Sequence, residues 1–333
     1  MLNILVLLLK IIKTKSTTSF ALLGFFLGLA FLAKYAAVYF LICLLLLLTT
    51  NNKTFVSFKE NIVGCMFFLI TFFLVLMPNI FWNINNDWLT LTHTSDNANL
   101  KNLNLNFVEP LKFVGSQAFM LGPFMVIFFV FFLKHFRLDF ENYFLLIFSL
   151  PVFFIVLMES FLVRANANWA APALISLFIL MFRLINNHKP NLIKINFFIN
   201  YFMAIALFGS VLISLDNSLF DRIRGIENFS KEISAITKDK DLVVSDRIIF
   251  SNISYEMRGE KRFVFMPYKS GSPITNHFQI SSPLKKDRSE VFFLIGGLDD
   301  ILYLSKKHKS KLIKEYDVSF SSSQIKLYEI SFN

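Results

Sequence analysis

The sequence predicts a mostly α, polytopic transmembrane helix bundle over residues 1–215, followed by a small α/β extracytoplasmic domain over 216–333. Three observations carry this. Hydrophobic residues make up 55% of the 333, charged residues only 17%, and the mean hydropathy is +0.57. Soluble chains lie nearer a quarter charged. Five long apolar stretches hold no charge at all: Asn61–Trp82, Val114–Leu133, Asn142–Met158, Ala165–Phe182 and Ile195–Leu215. From Asp216 onward the chain turns to mixed polar sequence with short β-branched and aromatic runs.

The five stretches match the roughly 20 apolar residues that a hydrocarbon layer of about 30 Å requires. Inside that layer each backbone must satisfy its own hydrogen bonds, so each is read as a helix. Ser19–Leu48 is longer and is interrupted only by Lys34. One helix over it would overshoot the membrane; two short helices turning near Lys34 fit it. Loop charge decides between them. With a turn at Lys34, the loops Lys10–Thr18, Thr49–Glu60, Lys134–Glu141 and Arg183–Lys194 share one side and hold ten Lys/Arg. The opposite loops, Trp82–Phe113 and Glu159–Asn168, hold three: Lys101, Lys112 and Arg164. Positive charge concentrates on the cytoplasmic side, so the hairpin is preferred. It sends Leu215 outward and makes the C-terminal domain extracytoplasmic. The bundle then has seven full or short spans plus a partial first helix, Met1–Ile12, too short to span alone. That segment is read as the tail of a helix that begins before Met1.

The charge surplus does not point to nucleic acid. Residues 1–215 hold 14 Lys/Arg against 7 Asp/Glu, and 216–333 hold 19 against 16. The excess sits in short loops between apolar runs, where membrane topology accounts for it. Cys43 and Cys65 fall inside apolar runs and read as small buried hydrophobes. The C-terminal domain has no cysteine and therefore no disulfide.

In that domain Leu242–Ser245, Arg262–Met266, Val291–Ile295, Leu312–Val318 and Ile325–Ile330 read as strands. Ile226–Thr237, Arg247–Arg258 and Asp299–Lys307 have helical spacing. Gly296-Gly297 stands between a strand and a helix that Asp299 or Asp300 could cap. A tight turn is the plainer reading of the pair; phosphate at a helix N-terminus is the sharper one. The sequence contains no metal-ligand spacing, Walker loop or nucleophile elbow.

Residues with chemistry cluster at the outer helix ends. Lys34 either holds a lipid phosphate as a point charge or is a snorkelling lysine that marks the turn. Pro78-Asn79-Ile80-Phe81-Trp82-Asn83 is followed by Asp87, Trp88 and His93. The two tryptophans suit an interfacial anchor. Asp87 is either a general base or a solvated loop carboxylate, and His93 a phosphate or hydroxyl ligand. Gln117 lies just inside the next helix. Asn168 and Trp169 mark the second outer loop, whose one cation, Arg164, would meet a donor phosphate or a lipid headgroup.

Together these residues resemble a known pattern. Gly24-Phe25-Phe26-Leu27-Gly28-Leu29-Ala30-Phe31-Leu32-Ala33-Lys34-Tyr35 is similar to the Gly-rich helix ending in Lys-Tyr of family 39 glycosyltransferases. These are polytopic enzymes of the GT-C class that use dolichyl- or polyprenyl-phosphate sugars. Pro78–Asn83 with Trp88 and His93 resembles their Pro-x-x-x-Trp-Asn loop. Gln117 with Pro123, Ala167–Pro172, and Ser245-Asp246-Arg247 with Tyr255 are also similar to family segments. The resemblance implies transfer of a sugar from a polyprenyl-phosphate donor to a lipid, polysaccharide or protein acceptor at the outer face of the inner membrane. Lys34 and Arg164 would face phosphate, Asp87 and His93 would line the cavity, and Tyr35, Gln117, Asn168 and Trp169 are further candidates for binding substrate or lipid phosphate. No fixed cofactor is implied. A divalent cation is left open, although the outer loops carry no carboxylate cluster. The family's Asp/Glu-x-Tyr-Tyr motif and Tyr-x-Asp-His-Pro-Pro segment do not occur here, so this chain is expected to lack the family's acidic catalytic motif and to be inactive alone, with Asp87 the remaining candidate base. The competing classes are a lipid or solute transporter and a membrane-anchored glycan-binding module built on 216–333.

Overall fold

The computed structural model describes residues 1–98, 105–163, 166–213, 224–238, 240–321 and 323–332. The chain divides into two units, Met1–Ala206 and Leu207–Asn333.

The first unit is helical. It begins with α1 (Leu2–Thr14), whose Ile4, Leu5, Leu8, Ile11 and Ile12 are buried in the bundle core. Next come α2 (Thr17–Ala33) and α3 (Val38–Thr50), separated by extended Lys34 and a short 3-10 turn, Tyr35–Ala37. A short α4 (Asn52–Lys59) precedes the long α5 (Ile62–Asn85). The contacts of α2 along α5 run in the same order on both helices. Phe20 lies against Gly64, Gly24 against Phe68, Gly28 against Val75, and Tyr35 bonds Asn79. The two are therefore parallel. Lys15 pairs with Glu60 at their start, so α3 must carry the chain back between them. The expected hairpin at Lys34 is present.

Glycine makes the α2–α5 contact. A Cβ on Gly24 would lie 2.1 Å from the Phe68 carbonyl oxygen, and one on Gly28 would lie 2.8 Å from the Val75 Cβ. Small residues four apart let two helix backbones approach where no hydrophobic effect drives them together. The Thr71 hydroxyl adds an interhelical bond to the Ala21 carbonyl at 2.8 Å.

After α6 (Leu89–Ala98) the bundle continues with α7 (Val108–Leu121) and α8 (Pro123–Phe132). The predicted single span Val114–Leu133 is in fact two helices bent by 94°. Gly122 at φ 95° makes the break, and Pro123 starts the next helix because it needs no N–H there. The predicted loop Trp82–Phe113 is also partly helical, since α5 runs through Pro78 to Asn85 and α6 follows. Then come α9 (Phe140–Ile147), α10 (Leu150–Leu162), α11 (Ala171–His188) and α12 (Pro190–Leu212).

Among the described residues, four stretches are long and apolar enough to cross a membrane: Ile62–Asn85, Phe140–Leu162, Ala167–His188 and Pro190–Leu212. Counting each bent pair as one span gives up to six. Only 11% of the apolar window of α5 and 6% of that of α12 is buried within the protein. Their outward Phe67, Phe73, Phe197 and Phe202 need lipid, not water, as solvent. The protein is a multi-pass membrane protein.

The second unit is a five-stranded sheet with helices. In chain order it holds α13 (Ile226–Ile236), β1 (Leu242–Val244), α14 (Arg247–Glu256), β2 (Val264–Phe265), α15 (Phe278–Ser281), β3 (Phe292–Ile295), β4 (His308–Tyr316) and β5 (Ile325–Phe332). The strand order is β2-β1-β3-β5-β4, parallel across β2, β1 and β3 and antiparallel beyond. Strands β1 and β3 are buried throughout, as strands covered on both faces must be. The predicted helix Asp299–Lys307 is absent. A 3-10 turn, Leu298–Ile301, stands there, and the basic run from His308 pairs with β5 as an edge strand. Its exposed lysines suit an edge that must not recruit further strands.

Candidate functional site

At the end of the bundle marked by Lys34, four chain segments converge. The Tyr35 hydroxyl lies 2.9 Å from Asn79 Oδ1 and 2.9 Å from Thr90 Oγ1. Asn83, one turn beyond Asn79 and 2% exposed, donates from Nδ2 to the Asn79 carbonyl at 2.9 Å. Its Oδ1 accepts from the Thr90 hydroxyl. A buried amide as fully bonded as Asn83 fixes one geometry, because rearrangement strands a polar group away from water. Asp87 and Trp88 stand in the left-handed region at φ 50° and 56°. That conformation folds the chain after α5 so that Thr90 returns to Tyr35. Asp87 itself is exposed and makes no hydrogen bond among the described residues.

A second anchor joins the opposite wall. The Lys34 ammonium donates to the Asn168 carbonyl at 3.0 Å. Gln117 Nε2 donates to the neighbouring Ala167 carbonyl at 2.7 Å. The 3-10 turn Ala167–Ala170 is thus held from two sides, with Trp169 packed on the bundle core. Lys34 is exposed, has no carboxylate partner among the described residues, and spends one of its three N–H donors on Asn168. Lys112 at this end is held by Glu109 at 2.7 Å. Gln117 is 3% exposed and its Oε1 has no partner. Arg164 lies outside the described residues, and His93 sits on α6.

The structure therefore brings Lys34, Tyr35, Gln117, Asn168 and Trp169 together and places Asp87 three residues before Thr90. Sequence reasoning missed Asn83 and Thr90 as partners of Tyr35. The signal was the i, i+4 spacing of Asn79 and Asn83, visible once the helix read over Asn61–Trp82 is carried on through Asn83. It also missed Glu159, a half-buried carboxylate near the end of α10, within electrostatic reach of Tyr39 and without a hydrogen bond or ion pair among the described residues. Among those residues no three His, Cys, Asp or Glu side chains converge as a metal site.

An exposed ammonium anchored at the Asn168 carbonyl, at the end of a lipid-facing bundle, can hold a phosphate at the membrane surface. One comparison bears on that reading. The chain is similar to a lipid A galacturonosyltransferase. This is RgtD of Rhizobium johnstonii, 26% identical over 294 residues, which cover 83% of this chain and 60% of the relative. The chain thus spans about 60% of the length of the curated relative it matches. The likeness is to a glycosyltransferase named for a lipid acceptor, in line with the broad class expected, and it does not single out family 39. No protein-family profile matches the chain, and no solved structure does.

The opposite end is electrostatically distinct. Arg183 forms a two-pronged pair with Asp139, each contact 2.9 Å, and donates to Asn142 Oδ1 at 2.7 Å. Hydrogen bonding from Arg183, with help from the Asn142 N–H, holds the Asp139 carboxyl below the usual carboxylate range. Asp139 also caps α9.

Proposed function

We propose that this chain serves a membrane glycosyltransferase reaction, moving a sugar from a polyprenyl-phosphate donor to a lipid acceptor at the extracytoplasmic face of the inner membrane. The likeness to a lipid A galacturonosyltransferase carries the reading. The Lys34 cluster supports it by supplying what the chemistry needs at the membrane surface. In the transfer, the bond from the sugar's anomeric carbon to the carrier phosphate breaks and the phosphate keeps the electron pair. The acceptor hydroxyl forms the new bond and gives up its proton.

Lys34 would offset the charge gained by the departing phosphate. The Tyr35–Asn79–Asn83–Thr90 network would keep that wall rigid, which is how positioning lowers a barrier. Asp87 and Glu159 are the carboxylates at this end without a hydrogen bond or ion pair among the described residues, and they are the candidates to take the proton. The basic loops would lie in the cytoplasm and residues 216–333 outside it.

Mass spectrometry of envelope lipids from a strain lacking the gene tests this. One lipid class is expected to lose a single sugar, restored by the wild-type gene and not by Lys34→Ala. A lipid profile unchanged by the deletion would overturn the proposal.

A further inference from the structure

The second unit contains a cleft built from its own residues. Strand β1 leads through α14 to β2 on one side, whereas β3, its neighbour on the other side, is reached by crossing back. The chain changes direction between β1 and β3, and in open α/β sheets the crevice outside the carboxyl ends of such strands is where ligands bind. Here that crevice is a cavity of about 470 Å³ lined by Ser245, Asp246, Asp300, Gln324 and Tyr328, among others.

Its polar groups have unspent bonding capacity. Asp246 uses Oδ1 to cap α14 through the Ile248 and Ile249 N–H groups, at 2.7 and 3.0 Å, and leaves Oδ2 free. Asp300 uses Oδ2 to accept from the Gly297 N–H at 3.0 Å and leaves Oδ1 free. The Ser245 hydroxyl is buried and has no partner. Gly296, at φ 151°, brings these groups together: a Cβ there would lie 2.2 Å from Ser245 Oγ and 3.0 Å from Asp300 Oδ2. Asp300 already occupies the N–H that a phosphate at Gly296-Gly297 would need, and Asp246 occupies the start of α14. The cation lining the cleft, Lys326, is held by Glu315 at 3.2 Å. Anions are therefore disfavoured. The two free carboxylate oxygens can accept from vicinal O–H or N–H groups of a ligand, with Tyr328 lining the cleft beside them.

We propose that this cleft binds a carbohydrate ring that is uncharged or carries an amine. The inference is independent of the transfer reaction, since every group in it belongs to the second unit.

Saturation-transfer NMR on the full chain in a sugar-free detergent, probed with galactose, glucosamine, galacturonate and inorganic phosphate, tests it. Transfer to galactose and glucosamine is expected, with none to galacturonate and no displacement by phosphate. Gln324→Trp, which fills the exposed rim, should abolish both signals. Asp246→Asn and Asp300→Asn keep their backbone caps, since Asn caps as well as Asp. Each should weaken glucosamine about tenfold, and galactose less, by removing charge. Absence of transfer to either sugar in the wild type, survival of the signals in Gln324→Trp, or equal binding of galacturonate would each overturn the proposal.

Discussion

Replacing Gly24 by alanine would drive a methyl group into the backbone of α5. The new Cβ would stand 2.1 Å from the Phe68 carbonyl oxygen and 2.4 Å from Thr71 Oγ1, where ordinary contact begins near 3.4 Å. Relief requires more than an ångström of movement, and a helical carbonyl cannot swing aside as a flexible side chain can. The two helices must separate, which also lengthens the Thr71–Ala21 bond. Overpacking costs about 1–3 kcal/mol, and a backbone clash belongs at the upper end. Alanine recovers about 1 kcal/mol of helix propensity. The net loss is about 2 kcal/mol, roughly thirtyfold in the unfolding equilibrium. Gly115→Ala is the control: it lies on α7 with nothing within 4 Å of its Cβ, so only the propensity gain applies. Titration with SDS in mixed micelles, followed by the fluorescence of Trp82, Trp88 and Trp169, reads both variants. If Gly24→Ala unfolds at the same SDS fraction as Gly115→Ala, the close α2–α5 contact is wrong.

Other substitutions probe separate parts of the structure. Asn83→Leu, which removes both bonds to Asn79 and the acceptor for Thr90, should cost about 2 kcal/mol in the same titration by stranding buried polar partners. Arg262, with 7% of its side chain exposed, donates to Ser234 and Thr237 at the end of α13 and to Glu260. Arg262→Met should destabilise the second unit by about 3 kcal/mol, read as earlier proteolysis of residues 224–332. The Arg262 hydrogen bond holds the Glu260 carboxyl below its ordinary value. That contribution is therefore complete above pH about 4.5 and is lost as pH falls through the lowered folded value. Acid unfolding monitored by circular dichroism should show this loss in the wild type and not in Arg262→Met. Asp139 follows the same sign, so Arg183→Met should flatten the acid-side loss of bundle stability.

The parts of this fold that a sequence reveals are those written in charge and hydropathy. Lys34 is the one charge in 30 apolar residues, and the imbalance of basic loops around it is enough to require the turn that the structure contains. The alternation of strands and helices after Asp216 was equally legible, because parallel strands buried on both faces read as apolar runs. The bend at Gly122 was not, since hydropathy does not register a single positive φ. The helix expected at Asp299–Lys307 failed for a different reason. Apolar spacing there was shared with a turn, and pairing with β5, a long-range contact, set where β4 begins. At the Lys34 end, Lys34 and Tyr35 could be found as a polar pair closing an apolar helix. Their partners could not, because the Asn83–Thr90 link depends on the left-handed pair Asp87-Trp88, and although Asp tolerates that region, Trp does not favour it.

The proposed reaction requires the Lys34 end of the bundle to hold the phosphate of a polyprenyl-linked sugar. Photo-crosslinking with a diazirine-bearing polyprenyl-phosphate sugar, followed by peptide mapping, tests it on the intact chain. Labelling is expected in the segments around Lys34–Tyr35 and Ala167–Ala170, reduced at least tenfold in Lys34→Ala. Labelling confined to the opposite end, around Lys15, Asp139 and Arg183, would contradict it.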